Sequence, residues 1–201
     1  EFIDPFRCLT NPSSGKMGIA IANEVAKRGG EVILVTGVGI KESNENIKVK
    51  KIVSTQDMYE VVKENYKDCD IIIKAAAVSD YTPVEVFDKK VKKQDDDLLI
   101  EFKRTPDILK YVGEHKNENQ IVVGFAAETN NLLQNAQAKL ERKGADMIVA
   151  NDVSRADSTF GADTYRVAFV SKTGIEQLET LPLVAVANAV LDKTVQLLKA
   201  R

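Results

Sequence analysis

The chain reads as an α/β domain with a doubly wound, mainly parallel sheet and a smaller antiparallel element. Three observations predict this. Short β-branched runs alternate with runs of helical period along most of the length. The predicted strands end in small residues followed by polar ones, as in Ala75-Ala76-Ala77-Val78-Ser79-Asp80 and Phe125-Ala126-Ala127-Glu128. The 201 residues, 44 % of them hydrophobic, suffice for one core, so the whole chain, 1–201, is taken as a single domain.

The elements follow in order. A polar, glycine-bearing loop, Asn11-Pro12-Ser13-Ser14-Gly15-Lys16-Met17-Gly18, opens an amphipathic helix over 19–26. Val32–Thr36 and 47–53 are strand runs, and 57–66 has helical spacing. Residues 70–76 and 120–126 read as buried strands, and 130–143 as a helix stopped by Gly144. A strand over 146–150 follows, then a hairpin of 166–170 and 175–178 around Lys172-Thr173-Gly174, and a closing helix, Leu183–Lys199. Pro106 marks a helix start. No strand is read ahead of the glycine loop, where such a sheet usually opens, so its first strand is expected to be missing from this chain.

Composition excludes several classes. A formal net charge of −2 argues against a general nucleic-acid or membrane-surface binder. No apolar run reaches the length of a membrane span, and no signal peptide is read at the start. Cys8 and Cys69 make neither a disulfide scaffold nor a metal cluster and are expected to be reduced thiols of a cytoplasmic protein. The lone His115, among Glu114, Lys116, Asn117 and Glu118, is expected to be a solvated turn residue, which disfavours a histidine triad.

The glycine loop carries the chemistry. A loop opening a helix presents unpaired N–H groups and the positive end of the helix dipole, which suits an anion. It is not a Walker A loop: Thr10 stands five before Gly15, and Met17 follows Lys16. Nor is it a full dinucleotide fingerprint, since Ser13 replaces the first glycine and no acid closes the strand ending Val35-Thr36-Gly37. An NAD(P)-dependent oxidoreductase on a related sheet and a non-catalytic nucleotide-binding domain remain open alternatives.

Parallel sheets bind ligands outside the carboxyl ends of their strands. There Asp80, Glu128, Asn151 and Asp152 gather on one predicted rim, although each alone is an ordinary turn or cap residue. Lys89-Lys90-Val91-Lys92-Lys93 reads either as a solvated loop before Gln94-Asp95-Asp96-Asp97 or as a lid over a polyphosphate. A unit-charge pair at about 4 Å is worth about 1 kcal/mol in water and about 4 at an effective dielectric near 20, so a lid acts only when closed. Lys139 and Lys143 lie one helical turn apart and share a face.

Taken together, several long motifs resemble the phosphopantothenate–cysteine ligase (phosphopantothenoylcysteine synthetase) family. They are Asn11-x-Ser13-Ser14-Gly15-Lys16-Met17-Gly18, Ala76-Ala77-Val78-Ser79-Asp80-Tyr81, Lys90-Val91-Lys92-Lys93, Thr105-Pro106-Asp107-Ile108, Val123 to Thr129 and Ala150-Asn151-Asp152-Val153-Ser154. The resemblance runs from Ile3 to about Val170 and implies a Rossmann-like fold. It implies activation of phosphopantothenate by CTP with Mg²⁺ to an acyl-cytidylate, release of pyrophosphate, and attack by L-cysteine with loss of CMP, a step of coenzyme A biosynthesis. It implies Asn11 and Lys90 as catalytic residues. Arg7, Asn11, Gly15, Gly18, Ala76 and Ala77 match substrate-binding positions. Ala75, Ala76, Asp80, Lys90, Pro106, Asp107, Ile108, Leu109, Phe125, Lys139 and Lys143 match nucleotide-binding positions. A homodimer and a fused or separate flavin-dependent decarboxylase partner are implied as well. The departures are Pro12, where the family often has Arg, His or Leu, and the family's glycine-rich loop and first strand, which would lie ahead of Glu1.

Overall fold

A computed structural model describes residues 1–39, 44–93, 96–153 and 164–201. Ser154, Gln94 and Asp95, which the sequence reading includes, lie outside the described residues. The elements run β1 (Phe2–Asp4), β2 (Arg7–Cys8), α1 (Lys16–Lys27), β3 (Val32–Thr36), β4 (Ile47–Lys51), α2 (Thr55–Asn65), β5 (Ile71–Lys74), β6 (Tyr81–Pro83), β7 (Phe102–Arg104), α3 (Ile108–His115), β8 (Ile121–Glu128), α4 (Leu132–Lys143), β9 (Met147–Asp152), β10 (Thr164–Tyr165), β11 (Val167–Ser171), β12 (Gly174–Gln177), β13 (Leu181–Pro182) and α5 (Leu183–Lys199).

The main sheet has the order β12-β11-β9-β8-β5. Strands β5, β8 and β9 pair in parallel, and β11 and β12 add antiparallel strands on the far side. Strands β8 and β9 are buried on both faces, which is why they read as continuous apolar runs rather than alternating ones. Ile121, Val123, Met147 and Val149 pack with Val186 and Val190 of α5 and Ile21 of α1. The intervening Val122, Ile148 and Ala150 pack on the opposite face with Leu109 and Val112 of α3 and Leu140 of α4. Helices thus cover both sides, as a doubly wound sheet requires.

One part of the expected sheet is split. Strands β3 and β4 form a separate parallel pair, and β5 is the edge of the main sheet. Between them lies an apolar slot of about 360 Å³, faced by Ile33 and Val35 of β3 and Ile71 and Ile73 of β5. A strand pair does precede the glycine loop, contrary to the sequence reading, but it is the small hairpin β1–β2, outside the main sheet. Its two sequence strands are too short to show a period.

Helix ends follow local chemistry. The helix read over 57–66 starts earlier, at Thr55, because Ser54 and Asp57 form a reciprocal capping box. The helix read over 130–143 starts at Leu132, since Asn131 takes a left-handed conformation (φ 46°), and it ends on left-handed Gly144 as expected. Pro106 lies ahead of the first turn of α3: Asp107 is the cap, its carboxylate accepting from Lys110 N–H at 3.1 Å. His115 closes α3 rather than sitting in a turn, exposed but stacked on Tyr111 with centroids 4.3 Å apart.

The approach of α3 to the end of α4 places both helices over the sheet. A Cβ added at Gly113 would lie 1.9 Å from the Lys143 carbonyl oxygen, so only glycine permits the contact. Gly113→Ala is therefore expected to cost about 1–3 kcal/mol or more, as overpacked substitutions do. Chemical denaturation followed by circular dichroism measures it; an unchanged midpoint would mean the helices separate freely.

Candidate active site

The carboxyl ends of β5 and β8 open on a polar cavity of about 400 Å³. Period-two alternation sets its floor. Ile71 and Ile73 face the α1–α5 layer, so Lys74 shares a face with Ile72, toward α3 and α4. Gly124 stands opposite Lys74 in the β5–β8 register. One wall is α4, which contributes Lys139 and Lys143. Another is the start of α3 with Pro106, Asp107, Ile108 and Leu109, and Asp80, Arg104, Thr105 and Phe125 complete it.

Polar contacts hold this wall in place. Lys143 pairs with the Asp107 carboxylate. Burial works against that carboxylate, but hydrogen bonds from Lys143 and from Lys110 N–H keep its pKa below the ordinary range. Lys139 Nζ donates to the Phe125 carbonyl at 2.7 Å. Burial lowers the Lys139 pKa, and Lys143 nearby lowers it further. Lys74 Nζ donates to the Ala76 carbonyl at 3.0 Å. Burial, reinforced by Lys139 and opposed by Asp107 and Asp80, pulls the Lys74 pKa down to about 8. Ammonium groups crowded in a partly dry cavity attract an anion or a strongly polar oxygen acceptor.

The glycine loop packs beside this cavity. Gly15 caps α1 in a left-handed conformation (φ 71°) with no side-chain cap bond. Asn11 Nδ2 donates to the carbonyls of Ala77 and Val78 at 3.0 and 2.9 Å, which ties the loop to the turn after β5. Asn11, Gly15, Gly18, Ala75, Ala76 and Ala77 border the apolar slot, not the polar cavity.

Arg7 is engaged by its own hairpin. Its guanidinium pairs with the buried Asp4 carboxylate and donates to the Val91 carbonyl at 2.9 Å. Asp4 also accepts from the N–H groups of Phe6, Arg7 and Val91 at 2.9, 3.0 and 3.1 Å. These bonds, the side-chain bond from Arg7 foremost, hold the Asp4 pKa well below the usual carboxylate range despite burial. The basic segment 89–93 is thereby fastened at Val91. Lys90 lies exposed with its Nζ 5.3 Å from the centroid of the Phe6 ring and lines neither concavity.

Of the residues singled out in the sequence, the structure brings Asp80, Pro106, Asp107, Ile108, Leu109, Phe125, Lys139 and Lys143 together. It sets Ala75 and Ala76 on the neighbouring slot and keeps Arg7 and Lys90 apart from both linings. Lys74 and Tyr81 belong to the cavity but were not singled out. A lysine ending an apolar strand reads as a solvated strand end; only the period-two position beside Ile72 signals its inward face. Among the described residues no group of three or more His, Cys, Asp or Glu is placed to hold a metal ion, and no helix is long and apolar enough to cross a membrane.

The chain is a doubly wound α/β domain with cations gathered at the carboxyl ends of its parallel strands, where such folds usually bind ligands. More specifically, residues 1–198 match the model of the DNA/pantothenate metabolism flavoprotein C-terminal domain, and the chain belongs to that family. It is 48 % identical over 175 residues to the coenzyme A biosynthesis bifunctional protein CoaBC of Bacillus subtilis (strain 168), covering 87 % of this chain and 43 % of that protein. It is 40 % identical over 199 residues to a cysteine/cysteine sulfinic acid decarboxylase of an unknown prokaryotic organism, covering 98 % of this chain and 55 % of that protein. The chain thus spans about half the length of these relatives. A crystal structure of the C-terminal domain of CoaBC matches with a TM-score of 0.84 at 39 % identity, covering 100 % of this chain and 91 % of that one.

Two substitutions probe the scaffold of the site. Asp4→Asn weakens the charged bonds that fasten Val91, so limited proteolysis is expected to cut within 89–93 faster while helix content stays the same. With the folded Asp4 pKa depressed, the clamp is complete above the ordinary aspartate range, about 3.9, and is lost as pH falls through the lower folded value. Equal cleavage rates in both proteins would remove the clamp. Asn11→Asp sets a carboxylate against two carbonyl oxygens and is expected to cost about 1–3 kcal/mol. Thermal melting checks it, and an unchanged Tm would show that the Asn11 amide does not tether the loop.

Proposed function

We propose that this domain joins phosphopantothenate to L-cysteine, using a nucleoside triphosphate, CTP by preference, to activate the carboxylate. The observation that carries this reading is the cation-rich cavity at the ends of β5 and β8, next to the glycine loop, in a chain whose relatives include proteins named for coenzyme A biosynthesis.

The chemistry suits such a site. A carboxylate is a poor acyl donor because oxide would have to leave. In the first step a carboxylate oxygen attacks the α-phosphorus, the bond to the β-phosphate oxygen breaks, and pyrophosphate leaves. In the second, the cysteine amine attacks the acyl carbon, loses a proton, and CMP departs. Both steps gather negative charge, which lysines and helix N-termini stabilise when they are already in place.

The residues take roles accordingly. Asp80, Phe125, Lys139, Lys143 and the segment from Pro106 to Leu109 hold the nucleotide; Lys139 and Lys143 are supported by their position in the cavity. Gly15, Gly18, Ala76 and Ala77 border the phosphopantothenate position, and Arg7 braces it from the hairpin. Asn11 steadies the acyl-nucleotide with an uncharged amide, once ligand binding draws one of its two N–H groups away from the Ala77 and Val78 carbonyls. Lys90 reaches the reacting phosphate when the segment fastened at Val91 swings in. Mg²⁺ usually binds through one or two carboxylates together with substrate phosphates rather than an all-protein cage, and Asp80 supplies a carboxylate in the cavity. Bound there, Mg²⁺ would neutralise charge on the departing pyrophosphate. The protein acts as a homodimer in this reading.

Pyrophosphate release tests it. With CTP, Mg²⁺ and phosphopantothenate but no cysteine, the protein is expected to release pyrophosphate and accumulate the acyl-cytidylate, and to do so faster than with ATP. Lys90→Gln is expected to keep the first step and slow transfer to cysteine by about 10²-fold or more, the scale of a lost oxyanion-type contact. Product formation at the parent rate in that variant removes Lys90 from the chemistry. Absence of pyrophosphate with either nucleotide removes the ligase reading, and carbon dioxide release from cysteine alone would favour the activity for which the decarboxylase relative is named.

A further inference from the structure

Lys74 is a cation that the roles above leave unused. It ends β5 at the floor of the polar cavity, on the Ile72 face, in the same lining as Lys139, Lys143 and Asp107. Its partner across the ladder is Gly124, which has no side chain to cover it. An ammonium has three donors, and the structure gives Lys74 one hydrogen bond, to the Ala76 carbonyl. The other two N–H groups remain for the cavity. A partly buried ammonium with incomplete hydrogen bonding is costly to keep in a fold unless something uses it. The neighbouring acids do not neutralise it by contact: Asp107 is paired with Lys143, and no ion pair joins Lys74 to Asp80.

We propose that Lys74 is a nucleotide-binding residue, its ammonium donating from the cavity floor to an oxygen acceptor of the bound nucleotide. The inference rests on the nucleotide reading above and extends it to a residue outside the set that the family resemblance supplies. The acceptor is a carbonyl oxygen of the base or a phosphate oxygen, since a lysine serves both as a compact point charge.

Charge makes the contact sensitive to pH. The groups facing Lys74 are Lys139 and Lys143 from α4, Asp107 from the start of α3, and Asp80 after β5; Arg104 of β7 shares the cavity lining. Burial and the two lysines favour the neutral amine, so the Lys74 pKa falls to about 8. Below that value the ammonium donates with full charge; above it the contact weakens. Bound nucleotide opposes the loss by favouring the charged form.

Isothermal titration with CTP, ATP, cytidine and inorganic triphosphate, on the parent protein, Lys74→Met and Lys74→Arg, tests the inference. Lys74→Met is expected to lower nucleotide affinity about tenfold or more at pH 7, as loss of a charged hydrogen bond does. Lys74→Arg, which keeps the charge, is expected to restore part of it. A parallel loss for cytidine marks the base as acceptor, and a parallel loss for inorganic triphosphate marks the phosphates. Parent affinity is expected to fall between pH 7 and pH 9 while that of Lys74→Met changes less.

Thermal melting of each variant guards the comparison, since methionine replaces an ammonium with an apolar group of similar length. If Lys74→Met binds as the parent does, the inference fails while the nucleotide reading stands. An affinity loss that Arg does not restore and that is the same at pH 7 and pH 9 makes Lys74 a purely structural residue and also overturns it. If the parent binds ATP but not CTP, the cytidine preference fails and Lys74 is judged on ATP. If the parent binds neither, the nucleotide reading and the inference fall together.

Discussion

The contact of Gly113 with the Lys143 carbonyl sets the geometry on which the polar cavity depends. Side chains normally hold helix axes well apart; here the missing Cβ lets α3 press against the end of α4. That approach brings the cap of one helix and the last turn of the other together. Asp107 stands at the positive N-terminus of α3, and Lys143 at the negative C-terminus of α4. Each charge is favoured by its own helix dipole before the two are paired. The pair therefore needs little further organisation, and the cavity wall is fixed by packing in the core rather than by a flexible surface contact.

A second constraint lies in the β1–β2 hairpin, outside both linings. Asp4 is a buried carboxylate that would be very costly alone, yet it accepts from three backbone N–H groups and the Arg7 guanidinium. Its charge is spread over donors from the hairpin and from the basic segment. A side-chain substitution in that segment leaves the Val91 N–H and carbonyl bonds in place, so the sequence 89–93 is free to carry lysines facing water. The anchor and the charges are thus separate: backbone bonds at Val91 fix the middle of the segment, while its lysine side chains stay exposed.

How much was legible in the sequence depended on the kind of signal. The closing helix Leu183–Lys199 was read with its observed bounds because a long amphipathic period specifies one face without ambiguity. Buried strands β8 and β9 were found as apolar runs, with edges off by one or two residues. Starts of helices were missed where a single side chain decides, as at Ser54, or where a left-handed asparagine resets the chain, as at Asn131. The short ribbons β1–β2, β6–β7 and β10–β13 have too few residues to display a period and arise from tertiary placement. In the site, eight nucleotide positions inferred from motif resemblance converge on one cavity, while Lys74 was passed over because strand alternation, not a motif, turns it inward.

The cavity's charge explains why such a residue persists in a strand buried among isoleucines. Lys139, Lys143, Lys74 and Arg104 outnumber Asp80 and Asp107 around it. In water such an excess is screened over about 8–10 Å at ordinary ionic strength, but within a partly dry cavity it is not. Burial first, and the neighbouring lysines second, hold the Lys74 and Lys139 pKa values below the ordinary lysine range. In the proposed reading, a polyanionic nucleotide favours the charged forms of both lysines and so opposes these shifts. On that reading selectivity follows from chemistry: a neutral ligand of the same shape would leave the excess positive charge in place, and an anion without a flat base would leave the apolar side formed by Leu109 and Phe125 unfilled.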